Sequence, residues 1–145
     1  MYKIIDNLYL GNRLDSIDYS NYFNILINCT SDMPFYINDL SINTIRIPII
    51  NDSSLSSELL YSYFDFIVKY INESLKNNKS ILIYCKFGEQ RSVSVKTAFL
   101  IWKNKWSLDF TIQYIKNINP KAFRYGINFK NILEKWYDFV NLNKI

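Results

Sequence analysis

The stretch Ile81-Leu82-Ile83-Tyr84-Cys85-Lys86-Phe87-Gly88-Glu89-Gln90-Arg91-Ser92 decides the fold. Its first four residues are apolar without alternation, which predicts a short strand covered on both faces. After Ser92 the pattern changes to helical spacing, with Val95, Ala98, Phe99 and Trp102 on one stripe. A cysteine, five residues, an arginine and a serine therefore occupy a strand-to-helix turn. Successive N–H groups in such a turn can converge on one point, and the helix N-terminus adds partial positive charge, so the turn makes an anion site. Cys85 lies at its floor. The same field stabilises a thiolate, which brings a thiol from about 8.5 toward the roughly 3.5 to 7.5 found at helix N-termini. The planar fork of Arg91 can grip two oxygens of a phosphate. Together these parts form a phosphate-binding loop with a nucleophile.

Outward from this loop, Asn24-Ile25-Leu26-Ile27-Asn28-Cys29 and Asn43-Thr44-Ile45-Arg46-Ile47 read as two more strands. At the start of the chain, Ile4-Ile5 and Leu8-Tyr9-Leu10 form a strand pair across a turn at Asp6-Asn7, ended by Gly11. Leu59, Leu60, Tyr63, Phe64, Ile67, Val68 and Ile71 follow a 3-4 spacing. That predicts a helix capped by Ser56 or Ser57 ahead of Glu58 and ended at Asn77-Asn78. Further helices are predicted from Ser107 to Asn117 and from Asn128 to Val140. Strands separated by helices give an α/β fold, a central, mostly parallel, twisted sheet of four to five strands flanked by helices. At 145 residues, with no internal repeat, residues 1–145 are expected to form a single domain.

Composition removes several function classes. With 49% hydrophobic and 21% charged residues the chain builds a core rather than a disordered tail. The absence of histidine excludes Ser-His-Asp and Cys-His pairs and His-ligated zinc, and no metal or other cofactor is expected. No apolar run approaches the roughly 20 residues that span a bilayer. Two cysteines make no disulfide framework and no basic-apolar-small leader opens the chain, so a reducing, cytoplasmic setting is expected. Cys29 has no basic or glycine neighbours and is assigned to the core. The net charge of +4 comes from dispersed lysines, a weak attraction for anions rather than a nucleic-acid patch, and nothing indicates a homo-oligomer. Lys121 and Arg124 are read as solvated surface.

The loop and its surroundings resemble the cysteine-dependent protein tyrosine phosphatases and, within them, the small dual-specificity phosphatases. Ile5 to Asn12 is similar to that family's opening strand pair, and Ile25 to Thr30 to its next buried strand. Ile47-Pro48-Ile49-Ile50-Asn51-Asp52-Ser53 resembles the segment ending in its general acid, and Asn128 through Trp136 its closing helix. The resemblance implies a protein tyrosine phosphatase-like fold and a metal-independent hydrolase. It makes Cys85 the nucleophile, Arg91 the phosphate clamp, Ser92 the hydroxyl that steadies the leaving thiolate and Asp52 the general acid. Asp32 and Asp39 are the next carboxylates in line for that last role. Lys86, Phe87, Gly88, Glu89, Gln90 and Arg91 would bind the phosphate.

Three positions depart from the family pattern. Tyr84 replaces the histidine before the nucleophile, Phe87 replaces an alanine, and Glu89 puts a carboxylate in the loop, where it opposes an anion unless its side chain turns away. Lys86 is expected to offset it in part. The resemblance implies hydrolysis of phosphotyrosine and phosphoserine/phosphothreonine in phosphoprotein partners. The alternatives are a pseudo-phosphatase that binds phosphoproteins without efficient hydrolysis, and an RNA 5′-triphosphatase using the same loop, against which the lack of a dense basic patch counts.

Overall fold

Five four-residue strands form one sheet in the computed structural model, which describes residues 1–50 and 54–142. The strands are β1 (Tyr2–Ile5), β2 (Leu8–Gly11), β3 (Ile25–Asn28), β4 (Asn43–Arg46) and β5 (Ile81–Tyr84), and their order is β1-β2-β5-β3-β4. Only β1 and β2 pair antiparallel, through a two-residue Asp6-Asn7 loop in which Asn7 adopts φ 68°. The other neighbours are parallel, with Gly11 opposite Tyr84 and Asn28 opposite Tyr84. The helices of the described residues are α1 (Arg13–Tyr19), α2 (Ser54–Lys76), α3 (Arg91–Asn104), α4 (Leu108–Ile118) and α5 (Lys130–Leu142), with a 3-10 turn at Ser20–Tyr22. None of the described helices is long and apolar enough to cross a membrane.

Strands β3 and β5 are buried at every residue, as continuous apolar runs require. Their odd and even positions serve different cores. Ile25, Ile27, Ile81 and Ile83 join the larger cluster under α2, α3, α4 and α5, whereas Leu26, Leu82 and Tyr84 join Phe23, Met33 and Ile42 on the opposite face. β4 departs from the sequence reading because it is the sheet edge, with Asn43 and Thr44 exposed. Arg46 at its end ties down the β3–β4 connection, donating to the carbonyls of Thr30 (2.9 Å) and Met33 (2.7 Å).

Three further corrections concern helices. Ser56 and Ser57 lie inside α2, which already runs at Ser54, so neither is its cap. α1 has no counterpart among the helices that the sequence predicts, because its apolar residues face outward. Leu14 and Ile17 are exposed while Ser16 and Ser20 are buried, which inverts the usual amphipathic signal. Its start is nonetheless fixed by a capping box, in which Asn12 accepts from the Asp15 amide and Asp15 accepts from the Asn12 amide. α3 is buried from Ser92 through Ile101, on all sides rather than along one stripe, since α2, α4 and α5 all pack around it. The Trp136 indole N–H donates to the Ala98 carbonyl at 3.0 Å and joins α5 to this central helix.

Lys96 sits in that buried stretch with no exposure, and its Nζ has no hydrogen-bond partner among the described residues. Burial disfavours the ammonium, so the amine titrates well below its ordinary value. Between that lowered value and about 10.4 the unfolded chain holds a proton that the folded chain lacks, and stability rises with pH through this window. Lys96→Met is therefore expected to melt roughly 3–10 °C higher at pH 7, with the gain shrinking as pH approaches 10. Thermal melts of both proteins across this range check it, and a gap independent of pH would refute it.

Candidate active site

The end of β5 delivers Cys85, 2% exposed, to the base of a turn that ends where α3 begins at Arg91. Gly88 turns the chain with φ 70°, and a Cβ there would lie 2.9 Å from the Gly11 carbonyl oxygen, so glycine is required twice over. The turn is anchored through its carbonyls. Lys86 accepts from the Arg13 amide (3.0 Å), Glu89 from the Phe123 amide (2.9 Å), and Gln90 from the amide and hydroxyl of Ser94 (2.8 Å each). Backbone N–H groups from Lys86 to Arg91 have no acceptor among the described residues. Gln90 also leaves α3 without a side-chain cap, because its amide instead donates to the Gly126 carbonyl (2.7 Å) and accepts from the Asn128 N–H (3.1 Å). An open cradle of amides at a helix N-terminus is an anion site.

Sulfur chemistry is supported from the first turn of α3. Sγ of Cys85 lies 3.1 Å from Oγ of Ser92, and the Ser92 N–H points at the same sulfur at 3.5 Å. Both contacts can steady negative charge on sulfur. Nη1 of Arg91 donates to the carbonyls of Ile49 (2.9 Å) and Ile50 (3.0 Å). That commitment leaves Nη2 and Nε as the fork for an oxyanion. It also ties the loop to the segment running into Asp52, which lies outside the described residues. Asp32 and Asp39 are exposed, and Asp39 is held by the amide and hydroxyl of Ser41, which lower its carboxyl below the ordinary value.

The departures in the loop take defined places. Glu89 turns to Arg124, 3.0 Å away, and Arg124 also lies over the Tyr125 ring, so this arginine is more than solvated surface. Lys86 does not offset Glu89 directly; its Nζ sits over the ring of Phe87, which is itself 68% exposed. Tyr84 is fully buried on the sheet face opposite Cys85. Burial pushes its phenol up, the Arg46 guanidinium pulls it partly back, and its hydroxyl lies near Asn28 without reaching hydrogen-bond geometry. Beside the loop, a cavity of about 580 Å³ is bordered by the start of α1, by residues 86–89, and by Lys121 and Arg124. Lys121 thus borders the site although its sequence reads as plain surface. The anchoring by Arg13, Phe123 and Gln90 has no sequence signal, because two of the three act through their main-chain amides.

The dual specificity phosphatase catalytic domain matches residues 8–139. The chain belongs to that family. It is therefore a protein phosphatase by family, and its relatives include viral ones. Protein 123R of Invertebrate iridescent virus 6, which carries a tyrosine-phosphatase name, is 32% identical over 142 residues, covering 96% of this chain and 95% of the relative. The dual specificity protein phosphatase OPG106 of Vaccinia virus is 30% identical over 111 residues, covering 74% of this chain and 63% of its own length. Among solved structures, human DUSP28 superposes with a TM-score of 0.85 at 19% identity, covering 99% of this chain and all of that one, a likeness of fold.

The Glu89–Arg124 pair gives a test within this dual specificity phosphatase loop. Arg124→Ala leaves a carboxylate unpaired beside the amide cradle and is expected to weaken phosphate or vanadate binding about 2- to 10-fold. Adding Glu89→Gln should restore it, which a double-mutant cycle on the inhibition constant would show. Equal binding by the wild type and Arg124→Ala would mean that Glu89 does not act on the cradle.

Proposed function

We propose that this phosphatase hydrolyses phosphotyrosine and phosphoserine/phosphothreonine in proteins through a cysteinyl-phosphate intermediate, with residues 1–145 acting as one catalytic domain. The observation that carries the reading is the set of unpaired N–H groups from Lys86 to Arg91 above a buried Cys85 whose sulfur is flanked by Ser92. An alkaline or neutral residue in place of cysteine would serve a binding site equally well, whereas a thiol held at the floor of the cradle serves attack on phosphorus.

In the first step the Cys85 thiolate forms the S–P bond while the P–O bond to the substrate breaks, and Asp52 gives its proton to the leaving oxygen. In the second, the Asp52 carboxylate takes a proton from water, the oxygen attacks phosphorus, and the S–P bond breaks. Ser92 donates to the departing thiolate. Through both steps the amides of Lys86, Phe87, Gly88, Glu89, Gln90 and Arg91, with the Arg91 fork, hold the charge on the equatorial oxygens. The partner is a phosphoprotein and the setting a reducing one, such as the cytoplasm, in which Cys85 stays a thiol.

Cys85→Ser is expected to abolish hydrolysis of an aryl phosphate while keeping vanadate bound at the loop, since the amides remain. Asp52→Asn should slow phosphoserine peptides on the order of 10² to 10⁴ and activated aryl phosphates far less, because only the former need a protonated leaving group. Steady-state rates on the two substrate types check both. Wild-type protein that binds phosphopeptides and does not turn them over would instead establish a binding module.

A further inference from the structure

The first backbone N–H groups of a helix have no partner within it, and a capping side chain accepts only from the second or third helical residue. In α1 the cap is Asn12, whose side chain accepts from the amide of Asp15 at 3.0 Å. The amide of Arg13, the first helical residue, is left over. It donates to the Lys86 carbonyl of the loop after β5, at 3.0 Å. One of the bonds that shape the cradle is therefore the spare donor of a seven-residue helix that follows β2.

The direction of that donor is set by Asn12, whose ψ of −170° orients the peptide plane carrying the Arg13 N–H. Asn12 is held at both ends. Its side chain takes the Asp15 amide, and its own amide donates to Oδ2 of Asp15 at 2.9 Å. On the other side of Arg13, the Ser16 hydroxyl donates to the Arg13 carbonyl at 2.6 Å. Asp15 also reaches the loop through packing. A Cβ on Gly11 would lie 2.9 Å from Cβ of Asp15 and 3.2 Å from its Oδ2, so the Asp15 side chain lies directly on the Gly11 backbone. The Gly11 carbonyl in turn bears on Gly88. Asp15 thus meets the turn by two routes, one through Asn12 and Arg13 to Lys86 and one through Gly11 to Gly88.

We propose that Asn12 and Asp15 are positioning residues of the phosphate cradle, whose reciprocal hydrogen bonds aim the Arg13 amide at Lys86 and so hold the Phe87 N–H toward the anion. This rests on the reading in the previous section that the Lys86–Arg91 amides hold the phosphate. With the box broken, the Asn12–Arg13 peptide is free to rotate. The Lys86 carbonyl then loses its outward partner, and one donor of the cradle loses its aim. Charge and positioning act here with opposite sign. Asp15 borders the same cavity as residues 86–89 and faces the Met1 ammonium at 3.3 Å, so deleting its carboxylate would by charge alone tighten the binding of an anion. Positioning requires that binding weaken.

The probe is vanadate, its binding to the full chain measured by titration calorimetry, which needs no turnover. Asn12→Ala is expected to weaken vanadate about 3- to 20-fold, and Asn12→Ser, which restores a capping oxygen, should recover most of the loss. Asp15→Ala should also weaken vanadate despite its lost negative charge. Each variant is titrated well below its own melting temperature. A cap that serves the helix alone lowers the melting temperature of Asn12→Ala and leaves its vanadate affinity unchanged, and that result would overturn the proposal. Tighter vanadate binding by Asp15→Ala would overturn it as well. If Asn12→Ala does not fold, Asp15→Ala, which keeps the Asn12 acceptor, decides by its sign. A wild type that binds no vanadate removes the cradle reading and the proposal together. Vanadate binding that depends on Asn12 and Asp15 in a protein without hydrolytic activity would sustain the positioning and sink only the proposed function.

Discussion

The site depends on the direction in which the Cys85–Arg91 turn sends its carbonyls. In a trans peptide the C=O and the following N–H lie in one plane and point in opposite directions. When the Arg13 amide holds the Lys86 oxygen outward, the Phe87 N–H is turned the other way. The Phe123 amide does the same for the Gln90 N–H through the Glu89 oxygen, and the first turn of α3 does so for the Arg91 N–H through the Gln90 oxygen. Three outward bonds thus aim three inward donors. They come from α1, from the segment after α4, and from α3 itself, so elements distant in sequence must be in place before the cradle exists.

The parallel sheet is what gathers those elements. With β2, β5 and β3 adjacent and in register at Gly11, Tyr84 and Asn28, three strand ends open on the same edge. Chains leaving such an edge surround the point where a ligand sits. β2 feeds α1 and its Arg13 amide, β3 feeds Cys29, and β5 feeds the loop. β4 completes the set, because the residues after it present the Ile49 and Ile50 carbonyls to Arg91. The guanidinium is thereby oriented by the residues that follow β4.

The parts legible in the sequence are those set by local pattern. Continuous apolar runs mark β3 and β5, the 3-4 spacing marks α2, the helix expected from Ser107 corresponds to α4, and the loop motif stands in its strand-to-helix setting. What was hidden depends on tertiary context. α1 shows its apolar side chains to solvent, so no period betrays it, although its Asn12–Asp15 box was in view. The edge character of β4 is a property of strand order. Arg124 reads as surface until the fold sets it 3.0 Å from Glu89, 35 positions earlier. Cys29 reads as core and is buried, and only the register of β3 on β5 sets it beside Cys85.

The departures from the family pattern at Tyr84, Phe87 and Glu89 share one feature, which is that none of their side chains holds the loop. Strand alternation sends Tyr84 into the smaller core on the far face of the sheet from Cys85, where its ring fills space with Leu26, Met33 and Leu82. Phe87 extends into solvent, and Glu89 is drawn aside by Arg124. The bonds that shape the turn run from main chain to main chain, apart from the Ser94 hydroxyl and the Gln90 amide. A histidine before the nucleophile is therefore not needed to aim these N–H groups, because the aim is set by the outward anchors. The residues that cannot change without altering the cradle are instead those whose own atoms meet the geometry. Gly88 lies against the Gly11 carbonyl, Ser92 touches sulfur, and Arg91 reaches from the loop to the Ile49 and Ile50 carbonyls.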